Sequence, residues 1–375
     1  MRSSRILHLI PLLWSGAGAY VTRLCELQRD RHDVAIVTAG VSSGERDWPT
    51  FRRRLARAGV AHERLDFFRR APEIFWPAVD RLGAFLRRWR PDVVHVHAGV
   101  PACAVALALR DLPRRPVVVA QFQNWGLGRP AWMNTMDLWG FRRADLLLVG
   151  AEASKRILVH GGVPASRVRT IRLGIDAPDV VDHRPGRRQP TVGFAGRIEH
   201  RKAQVDLVRV FQGVRRRVPD AALELIGPVA DAEYAATLEQ EIERLGLSAA
   251  VSRTGYVADV RPFLRRWRVF ASASVDEGQG LALVEAMAHG TPVVARRAPG
   301  VEDTLGARGR GLLVERRRPA AFADAVVRLL EDDREWIQLS TAGSRWARRA
   351  HAWPRCLARI EASYDAACRV AERRP

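Results

Sequence analysis

Residues 276–295 read DEGQGLALVEAMAHGTPVVA. Good helix formers fill 281–289, Gly290 ends the run, and Pro292 opens a β-rich Val-Val-Ala segment. Loop, helix, glycine stop and buried strand is the grammar of a parallel α/β sheet. Two acids stand eight residues apart in this stretch. Glu277, with Gly278 and Gly280 after it, lies at the mouth of the predicted helix, and Glu285 sits about two turns further in. A carboxylate among Leu, Val and Met is costly unless it is hydrogen-bonded. Taken alone, the pair fits a surface acid plus a backbone-capped acid as well as it fits a site.

The same alternation runs through the chain. Strand-like runs fall at 5–10, 33–38, 92–97, 116–121, 145–149 and 169–173, separated by segments of helical period such as 17–29, 78–90 and 151–160. After 176–190 (DAPDVVDHRPGRRQP) the pattern restarts with strands at 191–195, 221–226, 249–252, 268–273 and 292–295 and helices at 201–217, 232–245 and 280–289. At 375 residues the chain exceeds one ordinary core. The expected layout is two doubly wound Rossmann-like α/β domains: 1–175, a linker at 176–190, 191–352, and a C-terminal helix at 353–375 packing back on the first domain.

Composition narrows the function classes. Four scattered cysteines without a CxxC pair indicate neither a disulfide framework nor zinc. No apolar run approaches a membrane span. Residues 1–19 have the basic start, short apolar run and small residues of a signal peptide, but His8 interrupts the run and Gly16-Ala17-Gly18 leads into an amphipathic helix. A cytoplasmic protein is expected. The net charge is +20, yet only Lys155 and Lys202 among 61 basic residues are lysine. That ratio looks like the codon bias of a GC-rich genome, which writes arginine wherever any cation serves, so nucleic acid is not the expected partner. Residues 1–175 carry 28 basic and 14 acidic side chains, a net of +14, against +6 for the remainder. The basic half suits an anionic or membrane-bound partner.

Gly196-Arg197 follows the strand 191–195, and Lys202 opens the next helix. Backbone N–H groups, a helix N-terminus and two cations make a phosphate clamp; two solvated cations are the ordinary alternative. A lysine kept in an arginine-writing chain favours the clamp. Ser15-Gly16-Ala17-Gly18 lacks the third glycine of the dinucleotide fingerprint but permits close backbone approach to a phosphate or sugar.

With GRIEHRK (196–202), the Glu277/Glu285 pair in EAMAHGTPVVA, Pro299-Gly300-Val301-Glu302, Arg310-Gly311-Leu312-Leu313-Val314, Asp92-Val93-Val94-His95-Val96-His97, Ala144-Asp145 and Leu173-Gly174-Ile175-Asp176, the chain resembles the retaining glycosyltransferases of family 4 over nearly its whole length. The resemblance implies the GT-B architecture, two facing Rossmann-like domains with a cleft between them. Under it, Arg197 and Lys202 hold the diphosphate of a nucleotide-sugar donor, with Gly196 in the same turn. Glu285 takes the ribose hydroxyls, Glu277 with the amides of Gly278, Gln279 and Gly280 grips the transferred sugar, and Gly16 approaches the diphosphate. Arg197, Lys202 and Glu277 carry the catalytic load. The chain has no DxD pair, so no metal and no cofactor is expected. Retention by front-side attack, with the leaving phosphate as base, is implied; UDP is the expected nucleotide and a hexose the expected sugar.

The departures are Lys202-Ala203 for the usual Lys-Gly, Gln279 for an aromatic, Leu173 for an asparagine, and Gln123 where a histidine near the reacting sugar is common. Gln123 and His97 are the candidate residues near the acceptor. His95 and His97 share a strand face, as metal ligands would, but no third ligand is apparent; a polar lining is the other reading. The helix 78–90 is basic and amphipathic, and with Phe67-Phe68 and Phe75-Trp76 it suits either anionic lipid or plain packing on the sheet. The acceptor is lipid-linked, a polysaccharide or a small natural product, and the protein sits in the cytoplasm or at the inner membrane face. The rivals are a GT-B phosphorylase, a nucleotide-sugar epimerase, and a basic non-catalytic protein on a GT-B shell.

Overall fold

The computed structural model describes residues 3–39, 49–67, 71–110, 112, 114–122, 130–306 and 309–372. The chain divides into unit 1, Met1–Gly174 with Pro354–Pro375, and unit 2, Ile175–Trp353.

Unit 1 runs β1 (Arg5–Ile10), α1 (Ser15–Arg29), β2 (Asp33–Thr38), α2 (Pro49–Arg57), β3 (Ala61–Arg64), α3 (Pro72–Trp89), β4 (Val93–Val96), α4 (Gly99–Ala108), β5 (Val117–Phe122), α5 (Ala131–Phe141), β6 (Leu146–Val149), α6 (Glu152–His160) and β7 (Val168–Thr170). The seven strands are parallel in the order β3-β2-β1-β4-β5-β6-β7. Strands buried on both faces need mostly apolar runs, which β1, β4, β5 and β6 supply, interrupted only by His8, His95 and Gln121 past the exposed Arg5. Leu7, Leu9, Val94 and Val96 point into the main core, packed against α3 and α4. His8 and His95 are register partners on the opposite face.

The helix expected at 78–90 begins at Pro72, because proline at the first turn starts a helix cheaply. Its apolar side packs Phe75, Val79, Leu82 and Leu86 into the sheet. Of the aromatics once grouped with it, Phe67 and Phe75 are buried, Trp76 is 50% exposed, and Phe68 lies outside the described residues. Among the described residues no helix is long and apolar enough to cross a membrane.

Unit 2 runs β8 (Thr191–Ala195), α7 (Gln204–Arg217), β9 (Ala222–Ile226), α8 (Ala232–Arg244), β10 (Val251–Gly255), α9 (Arg261–Arg266), β11 (Val269–Ser272), α10 (Leu281–Ala288), β12 (Val293–Arg296), α11 (Pro299–Leu305), β13 (Leu312–Val314), α12 (Pro319–Glu331) and α13 (Asp333–Ala350); α14 (Trp353–Glu372) ends the chain. Its strands are parallel in the order β10-β9-β8-β11-β12-β13. The helix expected at 201–217 starts at 204, because His200–Lys202 form a tight 3₁₀ turn and Ala203 is left-handed, φ 52°.

The proline-rich stretch 176–190 is tied into unit 2 by several contacts, among them a buried arginine. Arg188 Nη1 donates to the carbonyls of Leu264 (3.2 Å) and Trp267 (2.7 Å) and to Thr291 Oγ1 (2.7 Å). Its Nη2 donates to the carbonyls of Asp182 and His289, each at 3.2 Å, and the guanidinium lies over Trp336. Burial lowers its pKa to about 10, which leaves it charged near neutrality.

Candidate functional site

In each sheet the strand order reverses once beside the first strand, between β1 and β4 and between β8 and β11. Ligands of doubly wound sheets bind beyond the strand C-termini at such a reversal, because the flanking loops part there.

In unit 2 the loops after β8 and β11 are joined: Val275 N–H donates to the Arg201 carbonyl at 3.0 Å. The first loop begins at Gly196, whose N–H donates to the Ile226 carbonyl at 2.8 Å. The Arg197 carbonyl accepts from Gln204 Nε2 at 2.7 Å, and the Arg197 and Arg201 guanidinium groups both donate to Glu199 Oε1, at 3.0 and 3.1 Å. Lys202 closes the 3₁₀ turn, and its Nζ donates to Glu277 Oε1 at 2.5 Å. The two side chains are 14% and 10% exposed.

Burial would raise the Glu277 carboxyl, but the Lys202 ammonium, Arg201 and a Ser274 hydrogen bond outweigh it and hold the group below the ordinary carboxylate range. Neighbouring Asp276 goes the other way: burial raises it despite the charges of Arg201 and Lys202. The loop then turns at Gly280, φ 72°, where a Cβ would lie 2.2 Å from Leu283 Cδ1. A left-handed turn favours glycine there, and α10 starts at the next residue. The N-terminus of α11 presses on the same loop from behind, since a Cβ at Gly300 would lie 2.2 Å from the Glu277 carbonyl oxygen.

Glu285 sits in the second turn of α10, about 7 Å along the axis from Gly280. Burial, with repulsion from Asp176, raises its pKa to about 7. The Gln279 side chain is engaged elsewhere, Nε2 meeting His351 Nδ1 at 3.1 Å, and the Gln279 backbone carbonyl accepts from Thr304 Oγ1 at 2.7 Å.

The fold thus brings Gly196, Arg197, Lys202, Glu277, Gly278 and Gly280 to one strand-order reversal, with Glu285 further along the adjoining helix. Gly16 belongs to unit 1, in the first turn of α1, with open space where a Cβ would stand. Gln123 lies outside the described residues. His97 is buried at the end of β4, and the absence of a third ligand for His95 and His97 is corrected, because β1 brings His8 to them. Arg201, Asp276, Asp176 and His8 were not singled out from the sequence as site neighbours. Adjacency to Lys202 and Glu277 was a signal for the first two, but only the folded topology places the others.

Two family models match the chain: Glycosyltransferase Family 4 over residues 14–178 and Glycosyl transferases group 1 over 189–332. A GDP-mannose-dependent alpha-(1-6)-phosphatidylinositol monomannoside mannosyltransferase of Mycobacterium tuberculosis is 33% identical over 187 residues, 48% of each chain. A D-inositol 3-phosphate glycosyltransferase of Corynebacterium urealyticum is 28% identical over 293 residues, 70% of this chain and 68% of the relative. The chain spans about half the length of the mycobacterial relatives it matches. The crystal structure of Anabaena HepE in complex with UDP and glucose aligns with 97% of this chain and 100% of its own at a TM-score of 0.80 and 20% identity, which shows a shared GT-B fold. Matched across both units by these two models, the chain belongs to the family 4, group 1 type of glycosyltransferases.

Proposed function

We propose that the protein transfers a hexose-type sugar from a nucleotide-diphosphate donor to an acceptor hydroxyl, with retention at the anomeric carbon and without a metal. The observation that carries this reading is the Lys202–Glu277 pair at the unit 2 strand-order reversal. A diphosphate entering there exchanges with the carboxylate on the Lys202 ammonium. That releases Glu277 for the sugar hydroxyls, while Glu285 accepts from the ribose. As the anomeric C–O bond to the β-phosphate breaks, negative charge collects on the leaving oxygen, where Lys202, Arg197 and the backbone amides stabilise it. The acceptor oxygen bonds to the same face of the anomeric carbon, and its proton passes to the leaving phosphate. No group in the set is assigned as a titrating base.

Support for a nucleotide-sugar donor comes from the UDP in the HepE structure and the GDP-mannose named for the mycobacterial relatives. UDP is the first choice of nucleotide, and unit 1, the basic half, is assigned the acceptor. The test is nucleotide release from UDP-glucose, UDP-galactose, UDP-N-acetylglucosamine and GDP-mannose, with and without polyol, polysaccharide and phosphoinositide acceptors. Anomeric proton couplings of the product then report the stereochemistry. Inversion sinks the mechanism, loss of turnover in EDTA sinks the metal-free reading, and uptake of labelled inorganic phosphate into sugar phosphate replaces the transferase with a phosphorylase.

A further inference from the structure

The buried polar network of unit 1, in which His8 bonds His97 and Gln28 while Tyr364 bonds Gln28 and His95, is almost sealed from solvent. The charged network at the strand-order reversal of unit 2 is not. Arg197 Nη2 donates to Glu199 Oε1 at 3.0 Å, and Arg201 donates to the same oxygen through Nη2 at 3.1 Å and Nε at 3.3 Å. Arg197, Arg201 and Glu199 keep 27%, 15% and 17% of their side-chain surface in contact with solvent, so a ligand can reach them.

The backbone of this loop has ties that do not involve the carboxylate. Ile198 N–H donates to the Pro228 carbonyl at 3.0 Å, Lys202 N–H to the Glu199 carbonyl at 2.9 Å, and Val275 N–H to the Arg201 carbonyl at 3.0 Å. The fully buried Gln204 holds the Arg197 carbonyl through Nε2 at 2.7 Å, and Tyr234 Oη accepts from Val205 N–H at 3.0 Å where α7 begins. What the Glu199 carboxylate adds is the placement of two guanidinium groups, which repel each other and would part without a shared anion. One anionic oxygen between two guanidinium forks is also the arrangement that a phosphate oxygen takes.

Arg201 reaches the second loop as well. Burial raises Asp276 and works to raise Glu277; Arg201 is the strongest charge opposing it at Asp276 and, after Lys202, at Glu277. Arg197, Arg201 and Lys202 therefore face one patch on which two carboxylates stand, Glu199 on the guanidinium groups and Glu277 on the ammonium. Their two negative charges match those of a diphosphate that carries one substituent on each phosphate.

We propose that Arg201 is a further ligand of the donor's diphosphate, and that Glu199 occupies its place on Arg201 and Arg197 until the donor arrives. This rests on the assignment of the nucleotide-sugar donor to unit 2. One phosphate takes over the Lys202 ammonium as Glu277 leaves it. The other takes over both guanidinium groups as Glu199 turns to water. The exchange is nearly even in charge, because each carboxylate yields its cation to an anion that accepts the same N–H bonds.

The test is calorimetric titration of the full chain and its Glu199→Gln and Arg201→Met variants with UDP, GDP and inorganic pyrophosphate at pH 7 without metal. Glu199→Gln keeps the shape and removes the competing charge, so it is expected to tighten diphosphate binding about 2- to 5-fold, the scale of a partly exposed ion pair. Arg201→Met keeps the apolar stem and loses the donors, and is expected to weaken binding about 10- to 100-fold. Unchanged or weaker binding in Glu199→Gln makes the carboxylate a structural brace and overturns its role. Binding within about twofold of wild type in Arg201→Met removes Arg201 from the diphosphate. Denaturant unfolding checks each variant, and Arg201→Gln replaces Arg201→Met if the latter does not fold. If the wild type binds pyrophosphate with these responses but neither nucleotide, the transferase reading has failed while the anion clamp stands; if it binds none of the three, both fall.

Discussion

The two strand-order reversals have the same topology and opposite electrostatics. In unit 2 the loops hold charge: Lys202 on Glu277, and Arg197 and Arg201 on Glu199. In unit 1, the more basic half of the chain, the reversal holds neutral rings bonded to an amide and a phenol. Overall charge therefore does not predict the chemistry of the strand ends. A diphosphate needs cations held ready by counter-charges, whereas a hydroxyl needs only a lone pair or an N–H in the right place.

The sharpest way to break this contrast is at the ion pair. Lys202→Met is expected to lower kcat/KM about 100- to 1000-fold, the usual cost of one leaving-group donor. It also strands a mostly buried carboxylate, so denaturant unfolding should show a loss of about 3 kcal/mol. Adding Glu277→Gln should restore most of the stability and none of the turnover; recovery of activity in the double variant would remove both residues from the site.

Acid should then separate the units. His8 is neutral in the fold with a pKa near 4, so the unfolded chain binds a proton that the folded chain refuses between about pH 6.5 and 4. Stability from this ring is complete above 6.5 and falls with pH, by about 3 kcal/mol at pH 4. Hydrogen exchange in β1 and β4 should quicken over that range, and protection independent of pH would contradict the neutral cluster. Glu285 has the opposite slope. Its folded pKa near 7 lies above the ordinary carboxyl value, so ionising it costs stability at alkaline pH and the cost fades as pH falls towards 4.5. Glu285→Gln should therefore stabilise the protein at pH 8 by up to about 3 kcal/mol while abolishing most turnover. In the wild type, donor KM should rise as pH drops below about 7, because the protonated acid cannot accept from both ribose hydroxyls; a flat profile from pH 5 to 8 would detach Glu285 from the donor.

The smallest effect expected is at Ala203. Left-handed backbone costs a residue with a Cβ about 1 kcal/mol, and the buried methyl returns about 0.8. Ala203→Gly should therefore shift the denaturation free energy by under about 0.5 kcal/mol, and a larger change would mean that the turn carrying Lys202 is held differently.

Much of unit 2 was legible because its site is built from local signals. Strand ends, glycine turns and helix starts put Gly196, Lys202, Glu277 and Gly280 where the structure has them. Unit 1 was less readable. α4, GVPACAVALA, is apolar on nearly every side and has no period to detect, and β3, AHER, has no apolar alternation. His8 was seen only as an interruption in an apolar run. Its role depends on β1 lying beside β4, a fact of sheet order that no sequence spacing between the two strands reveals. The departure at Lys202-Ala203 was visible in sequence, but its left-handed geometry was not.

Arg188 gives the arginine bias of this chain a different meaning. A composition that writes arginine wherever a cation will serve suggests that the choice is neutral at each position. Here it is not. One flat guanidinium reaches four carbonyls and a hydroxyl from a single buried point while lying across the Trp336 ring. A lysine has three donors, tetrahedrally splayed and tightly hydrated, and cannot occupy that plane. A stretch whose prolines and scattered charges look like slack cord is thus stitched down by a side chain whose planar set of donors a lysine cannot reproduce.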